Sequence, residues 1–266
     1  MTGVPTPPSH VSRFGLTPFK GGAHAHPQTL EVTADGPVGD RLFALVATFG
    51  AGELRVVRTV TATTVLRVRS RLDDGVLTLA LPGAWEFAVP VAGAPTASLV
   101  ADYWGRPARI EPLPGPWDAA LSSLVGRDVR LARTRPGEVV YGQPITLVTT
   151  SSVAELARRA RTPTVDDERF RGTVLVDTGH APAFVEDTWV GRRMRLGGVE
   201  VVVRAGIPRC AVTRLEPGTG TRLDDDPMRL LAHDRTVDQE VVFGVGADVV
   251  RPGMLVVGDT VATVPR

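Results

Sequence analysis

The 266-residue chain has one cysteine, Cys210, one lysine, Lys20, and no asparagine. A single thiol excludes an intrachain disulfide, an all-cysteine zinc site and a self-contained iron–sulfur cluster. Redox chemistry in this chain would therefore need a bound cofactor or an external donor. No apolar run approaches the roughly 20 residues that a spanning helix requires. The polar, proline-rich stretch Met1–His10 lacks the apolar core of a secretion signal. These absences predict a cytoplasmic protein without a membrane partner. A net charge of +1 supplies no field that would attract nucleic acid.

What is present is an ordinary globular composition, 43% hydrophobic and 22% charged, long enough for one large domain or two moderate ones. Of the 30 basic residues 29 are arginine, and Ala, Gly, Pro and Val are abundant, which suggests a GC-rich coding bias. A lone lysine surviving that bias hints that its compact ammonium matters where it sits.

The pattern predicts a mainly β (α+β) fold, a β-barrel-like N-terminal domain followed by a β-rich domain with a few helices. Short Val-, Leu- and Thr-rich segments separated by Gly, Pro and Asp read as strands at His10–Phe14, Leu30–Val32, Arg41–Ala47, Leu54–Val57, Thr64–Val68 and Val76–Ala80. The run from Val60 to Ser70 is especially β-prone. Four prolines in Arg106–Pro116 read as a linker, dividing the chain into domains at 9–110 and 117–265. Beyond it, helices are expected at Trp117–Val125, Ser151–Arg161 and Pro227–Ala232, the second with a serine cap. Strands are expected at Val129–Ala132, Val174–Val176, Met194–Leu196, Val199–Val203, Val241–Phe243 and Met254–Val257. Nothing reads as a βαβ unit or a Gly-rich phosphate loop.

Cys210 follows a strand in Gly206-Ile-Pro-Arg-Cys-Ala-Val-Thr-Arg-Leu-Glu-Pro-Gly-Thr-Gly220. Free cysteines are commonly inert core residues. This one is surrounded by Pro, Arg and Thr, and Arg209 beside it would favour the thiolate that binds metals and attacks electrophiles. Pairs such as His24 and His26, and the acidic clusters Asp166–Glu168 and Asp224–Asp226, read as loop residues without a metal, the clusters as solvated.

The segment Pro-Arg-Cys-x-x-Thr followed by Glu-Pro-x-Thr-Gly resembles the signature of the MOSC-domain family, the molybdenum-cofactor-associated sulfur proteins. Arg169-Phe-Arg, Phe184-Val-Glu-Asp-Thr-Trp189, the helix after Ser151, Phe243-Gly244 and Gly253–Asp259 match further family segments in order. Val11–Gly22 and Gly39-Asp-Arg-Leu-Phe-Ala-Leu-Val46 are similar to the family's N-terminal barrel, so the resemblance covers about 9–265. It implies a cleft binding the molybdenum cofactor (molybdenum-molybdopterin), with Cys210 as metal ligand and, with Arg209, the catalytic pair. It further implies that Lys20, Arg41 and Arg171 grip the anionic pterin, and that Ser152, Thr173 and Thr213 line its pocket. Gly21 stands where the family has serine, and Gly172-Thr173 where it has Pro-Asn.

The implied activity is reduction of N-hydroxylated or N-oxide small molecules, or oxygen-atom transfer, with electrons from a separate donor protein. The other readings are molybdenum-independent sulfur transfer through a Cys210 persulfide, and a molybdopterin carrier without turnover.

Overall fold

Most of the β-prone segments become strands in the structure, a computed structural model that describes residues 9–91 and 98–265. The Met1–His10 stretch lies almost wholly outside the described residues. Among the described residues the fold is mostly β with three α-helices: α1 (Trp117–Val125), α2 (Thr150–Ala160) and α3 (Pro227–Ala232).

Five strands close a barrel in the order Arg106–Pro112, Arg130–Thr134, Phe43–Thr48, Leu54–Val56 and Leu99–Tyr103. The proline-rich stretch expected to be a linker is one of them. Ala108 and Ile110 alternate inward and are fully buried, and that inward pair outweighs the prolines at the strand's ends. The barrel also takes in Arg130–Thr134, which pairs with Phe43–Thr48, so strands from both sides of α1 share one sheet. A meander of Arg69–Asp73, Val76–Leu81 and Trp85–Pro90 packs Leu77, Leu79 and Val89 into the core beneath α1.

The Val60–Ser70 run is not a strand until its last two residues, which open Arg69–Asp73. Thr59–Thr61 and Thr63–Arg67 form 3-10 turns, because Ala62, Val65 and Val68 are buried at a spacing of three, the repeat of that helix. This departure has a functional result, since it turns Arg58 and Thr59 toward the site described below.

The second sheet has eight strands. Its main path runs His10–Phe14, Val174–Asp177, Ile145–Thr149, Glu240–Arg251, Val199–Pro208, Arg193–Leu196 and Val261–Thr263. Ile145–Thr149 and Val174–Asp177 are parallel, with α2 in the connection. A βαβ unit is therefore present where none was expected. Ile145–Thr149 is buried at every position, so it shows no alternation to read. The cap of α2 is Thr149 rather than a serine, its side chain accepting from the Ser152 N–H.

The chain crosses between these two bodies early. His10–Phe14 lies at the edge of the large sheet, while Phe19 bridges to Phe43 of the barrel. The Lys20 N–H donates to the Phe43 carbonyl at 2.7 Å and the Arg41 N–H to the Thr17 carbonyl at 2.8 Å. The crossing thereby fixes Lys20 and Arg41 side by side.

Candidate functional site

A cleft of about 270 Å³ lies where barrel and large sheet meet, lined by residues of both, among them Lys20, Arg41, Arg58, Arg171, Cys210 and Thr213. Its far wall is built by the long strand Val199–Pro208, which bends at three irregularities against Glu240–Arg251 and delivers Arg209 and Cys210 at its end. Cys210 is exposed and starts the 3-10 turn Ala211–Arg214. The Thr213 hydroxyl donates to the Cys210 carbonyl at 3.0 Å and closes that turn.

Arg209 serves the cysteine by position. Its Nε and Nη2 donate to the Phe243 carbonyl at 2.7 and 2.5 Å, and Nη1 to the Phe170 carbonyl at 2.6 Å. The guanidinium also lies 5.7 Å from the centre of the Phe170 ring, which stacks on Phe243 at 4.1 Å. Burial lowers its pKa to about 10 against the opposing charges of Cys210 and Glu186. All three nitrogens are committed to backbone, so Arg209 pins the cysteine turn to two other elements.

The opposite wall is cationic. Burial, then the charges of Arg171 and Arg41, lower the Lys20 pKa to about 7, while Cys210 pulls the other way. Its ammonium sits 5.1 Å from the centre of the Tyr103 ring. Burial and the Arg41 charge lower Arg171 to about 10, and its Nη2 donates to the Gly22 carbonyl at 2.8 Å. Arg41 donates from Nε to Asp40 at 2.5 Å. Among the described residues no carboxylate forms an ion pair with Lys20, Arg58 or Arg171. Crowded cations with a single paired carboxylate, Asp40, mark a place that an anionic ligand would stabilise.

Six of the residues singled out in the sequence thus meet in one cleft: Lys20, Arg41, Arg171, Arg209, Cys210 and Thr213. Two do not reach it. Ser152 is fully buried, its hydroxyl donating to Glu186 Oε2 at 2.8 Å and accepting from the Phe184 N–H at 2.8 Å. Thr173 is also buried, its hydroxyl accepting from the Thr146 N–H at 3.2 Å. Both are committed to buried partners, Ser152 in α2 and Thr173 just before Val174–Asp177, so neither is carried forward as a ligand contact.

The acidic clusters are not freely solvated either. Arg13 pairs with Asp167 and Glu168, Arg169 with Asp225 and Arg214 with Asp226, which fastens the loops behind the cleft. His26 spans from the Phe14 carbonyl to Glu168, at 2.7 and 2.8 Å. Burial and the charges of Arg171 and Arg41 hold the His24 pKa well below its usual value.

Sequence reasoning missed Arg58, Thr59, Tyr103, Trp104 and Tyr141, which also line the cleft. Arg58 and Thr59 fall between the expected strand Leu54–Val57 and the β-prone run from Val60, where no motif marks them. Tyr103 and Trp104 sit at a hairpin end next to the supposed linker. A Cβ on Gly21 would lie 2.6 Å from the Thr59 hydroxyl, and Gly21 has φ of +86°. Thr59 thus places a hydroxyl beside position 21, in space that a side chain there would need.

The family model described as MOSC domain matches residues 126–262. Mitochondrial amidoxime reducing component 2 of Rattus norvegicus is 33% identical over 134 residues, covering 47% of this chain and 38% of that protein. The Homo sapiens protein of the same name is 32% identical over 126 residues, covering 44% of this chain and 36% of its own length. The chain thus matches well under half the length of these relatives. The YUAD protein from Bacillus subtilis aligns over 95% of this chain and 93% of its own, at 12% identity and a TM-score of 0.43.

Proposed function

The chain belongs to the MOSC domain family, and on that premise we propose that it is a molybdenum-cofactor-binding oxidoreductase reducing N-hydroxylated or N-oxide small molecules. The observation that carries this reading is that the chain's only cysteine and only lysine meet in one cleft, where Lys20 and Arg171 form no ion pair with a carboxylate among the described residues. The names of the amidoxime reducing relatives support the reaction class.

The donor set suits the cofactor. An exposed thiol is a soft ligand for a thiophilic metal. Lys20 and Arg171 offer a point charge and a planar fork to an anionic pterin phosphate, and the Thr59 hydroxyl lies beside Gly21. When bound, the group would supply two-electron chemistry at a centre open to the substrate oxygen. The residues do the rest. Arg209 holds the Cys210 turn in place, and the Arg41–Asp40 pair orients one arginine along the cleft wall. An anion at Lys20 would raise its pKa again and bring the ammonium back to full charge. Overall, an N-hydroxylated substrate takes up two electrons and two protons, its N–O bond breaks, and water leaves. The electrons come from an external donor protein.

Metal analysis of the purified chain tests this. Molybdenum near one equivalent, lost in Cys210→Ser, is the expected result, with benzamidoxime reduced when a donor dye is supplied. Metal-free protein carrying a persulfide on Cys210 would overturn it in favour of sulfur transfer. Molybdenum retained without any turnover would leave a cofactor carrier.

A further inference from the structure

The hairpin at the mouth of the cleft carries an unexpected residue. Strands Leu99–Tyr103 and Arg106–Pro112 pair with Tyr103 opposite Arg106, so Trp104 and Gly105 alone connect them. Both have positive φ, 58° and 76°. A two-residue connection of this hand takes Asn, Asp or Gly, because a bulky side chain is strained there. The other such turns carry Asp at the first position: Asp74 and Gly75, at φ 45° and 75°, join Arg69–Asp73 to Val76–Leu81, and Asp238 and Gln239, at φ 48° and 65°, join Thr236–Val237 to Glu240–Arg251. Strain of this kind clusters at ligand clamps, which makes Trp104 a functional outlier rather than a filler.

The strained turn sets the indole at the cleft mouth. The Arg58 guanidinium lies 4.6 Å from the indole centre. The Tyr141 ring lies 5.7 Å away at 57°. Trp104 is 46% exposed and Tyr141 47%, so much of both rings faces open space although all three side chains line the cleft that holds Cys210. Uncovered aromatic surface of this size beside a reactive thiol is suited to receive another flat ring, which stacks or tilts at similar centroid distances.

We propose that Trp104, Tyr141 and Arg58 form the platform that selects the substrate, receiving the planar, uncharged aromatic body of an N-hydroxylated compound and directing its N–O head inward to Cys210. Only the nature of the head group rests on the reading above. The platform itself rests on the turn and the rings. Arg58, which forms no ion pair among the described residues, makes the cleft mouth unfavourable for a cation. The amidine formed from an amidoxime is protonated at neutral pH, so it is held less well there than the neutral substrate.

Calorimetric titration of the full chain, as purified, with benzamidoxime and with its saturated-ring counterpart cyclohexanecarboxamidoxime tests the platform without turnover. The expected preference for the aromatic compound is about fivefold to tenfold. Trp104→Gly, which suits the turn and keeps the melting temperature, abolishes the preference, and Trp104→Phe restores most of it. An unchanged preference in both Trp104→Gly and Tyr141→Leu overturns the proposal. So does a fall in molybdenum content in Trp104→Gly with the preference intact, which would assign the ring to the cofactor. If the chain reduces no amidoxime yet binds benzamidoxime with this preference, the oxidoreductase reading falls and the platform stands. If it reduces benzamidoxime and Trp104→Gly leaves KM unchanged, the platform falls and the reading stands.

Discussion

Replacing Arg209 by lysine separates the two things an arginine beside a reactive cysteine can do. The variant keeps the positive charge next to Cys210 but loses the planar fork. In the native chain the fork makes three hydrogen bonds to two carbonyls on different elements, Phe243 and Phe170. An ammonium on a lysine stem reaches at most one of them, so about two charge-assisted bonds are lost. At roughly 1.5 kcal/mol each the cost is about 3 kcal/mol. For a chain of this size each kcal/mol moves the melting temperature by about 2–4 °C, which predicts a fall of roughly 6–12 °C. Differential scanning calorimetry at neutral pH reads it directly. Arg209→Met should fall at least as far, since it forms none of the three bonds. A melting temperature for Arg209→Lys within about 1 °C of wild type would refute the argument, because charge alone would then account for Arg209.

Three further outcomes follow from the buried polar groups. Ser152→Ala removes a donor to Glu186 and the acceptor of the Phe184 N–H, and should destabilise by about 1–3 kcal/mol in chemical denaturation. Molybdenum content should stay at the wild-type level, and a selective loss of metal without loss of stability would place Ser152 in the cleft after all. Burial raises the Glu186 pKa above its usual value, so the native state favours the protonated carboxyl. Its stabilising contribution is complete below pH 4.5 and is lost as pH rises through the raised value. Glu186→Gln should therefore melt above wild type at pH 8, with the gap closing toward pH 4, and a gap that is flat with pH would contradict this. Lys20 binds its proton more weakly folded, at about 7 against 10.5 unfolded, so wild-type stability rises with pH between those values. Lys20→Met should show its largest advantage in melting temperature near pH 6 and a smaller one at pH 9. Inorganic phosphate should stabilise wild type more than the variant.

Much of the architecture was legible because it is local. Alternating or Val-rich segments such as His10–Phe14 and Val76–Leu81 carry their strand signal in a few neighbours, and α1 carries its helix in apolar spacing capped by Gly126. Failures arose where burial overrode local preference. Ala62, Val65 and Val68 belong to β-prone sequence, yet packing under α1 at a spacing of three makes 3-10 turns of their segment. Arg106–Pro112 reads as a linker by its prolines, but Ala108 and Ile110 have a barrel interior to fill. Ile145–Thr149 is buried all round and offers no period, so the parallel pairing through α2 was invisible.

The site divides along the same line. Cys210 and Arg209 were visible because neighbouring residues make a motif, and Lys20 because it is unique in composition. Those choices of side chain, a soft thiol and a compact cation, are chemical facts the chain carries before it folds. The tertiary structure alone decided that Lys20, from the crossing segment, and Cys210, from the end of a bent strand 190 positions later, share one cleft. It also decided that Ser152 and Thr173 turn inward to satisfy buried polar partners. The Trp104 indole reaches the cleft mouth because a hairpin forces it into a left-handed turn. Residue identity sets which chemistry is possible. Which residues meet depends on long-range pairing and burial, and neither is encoded in any short stretch of chain.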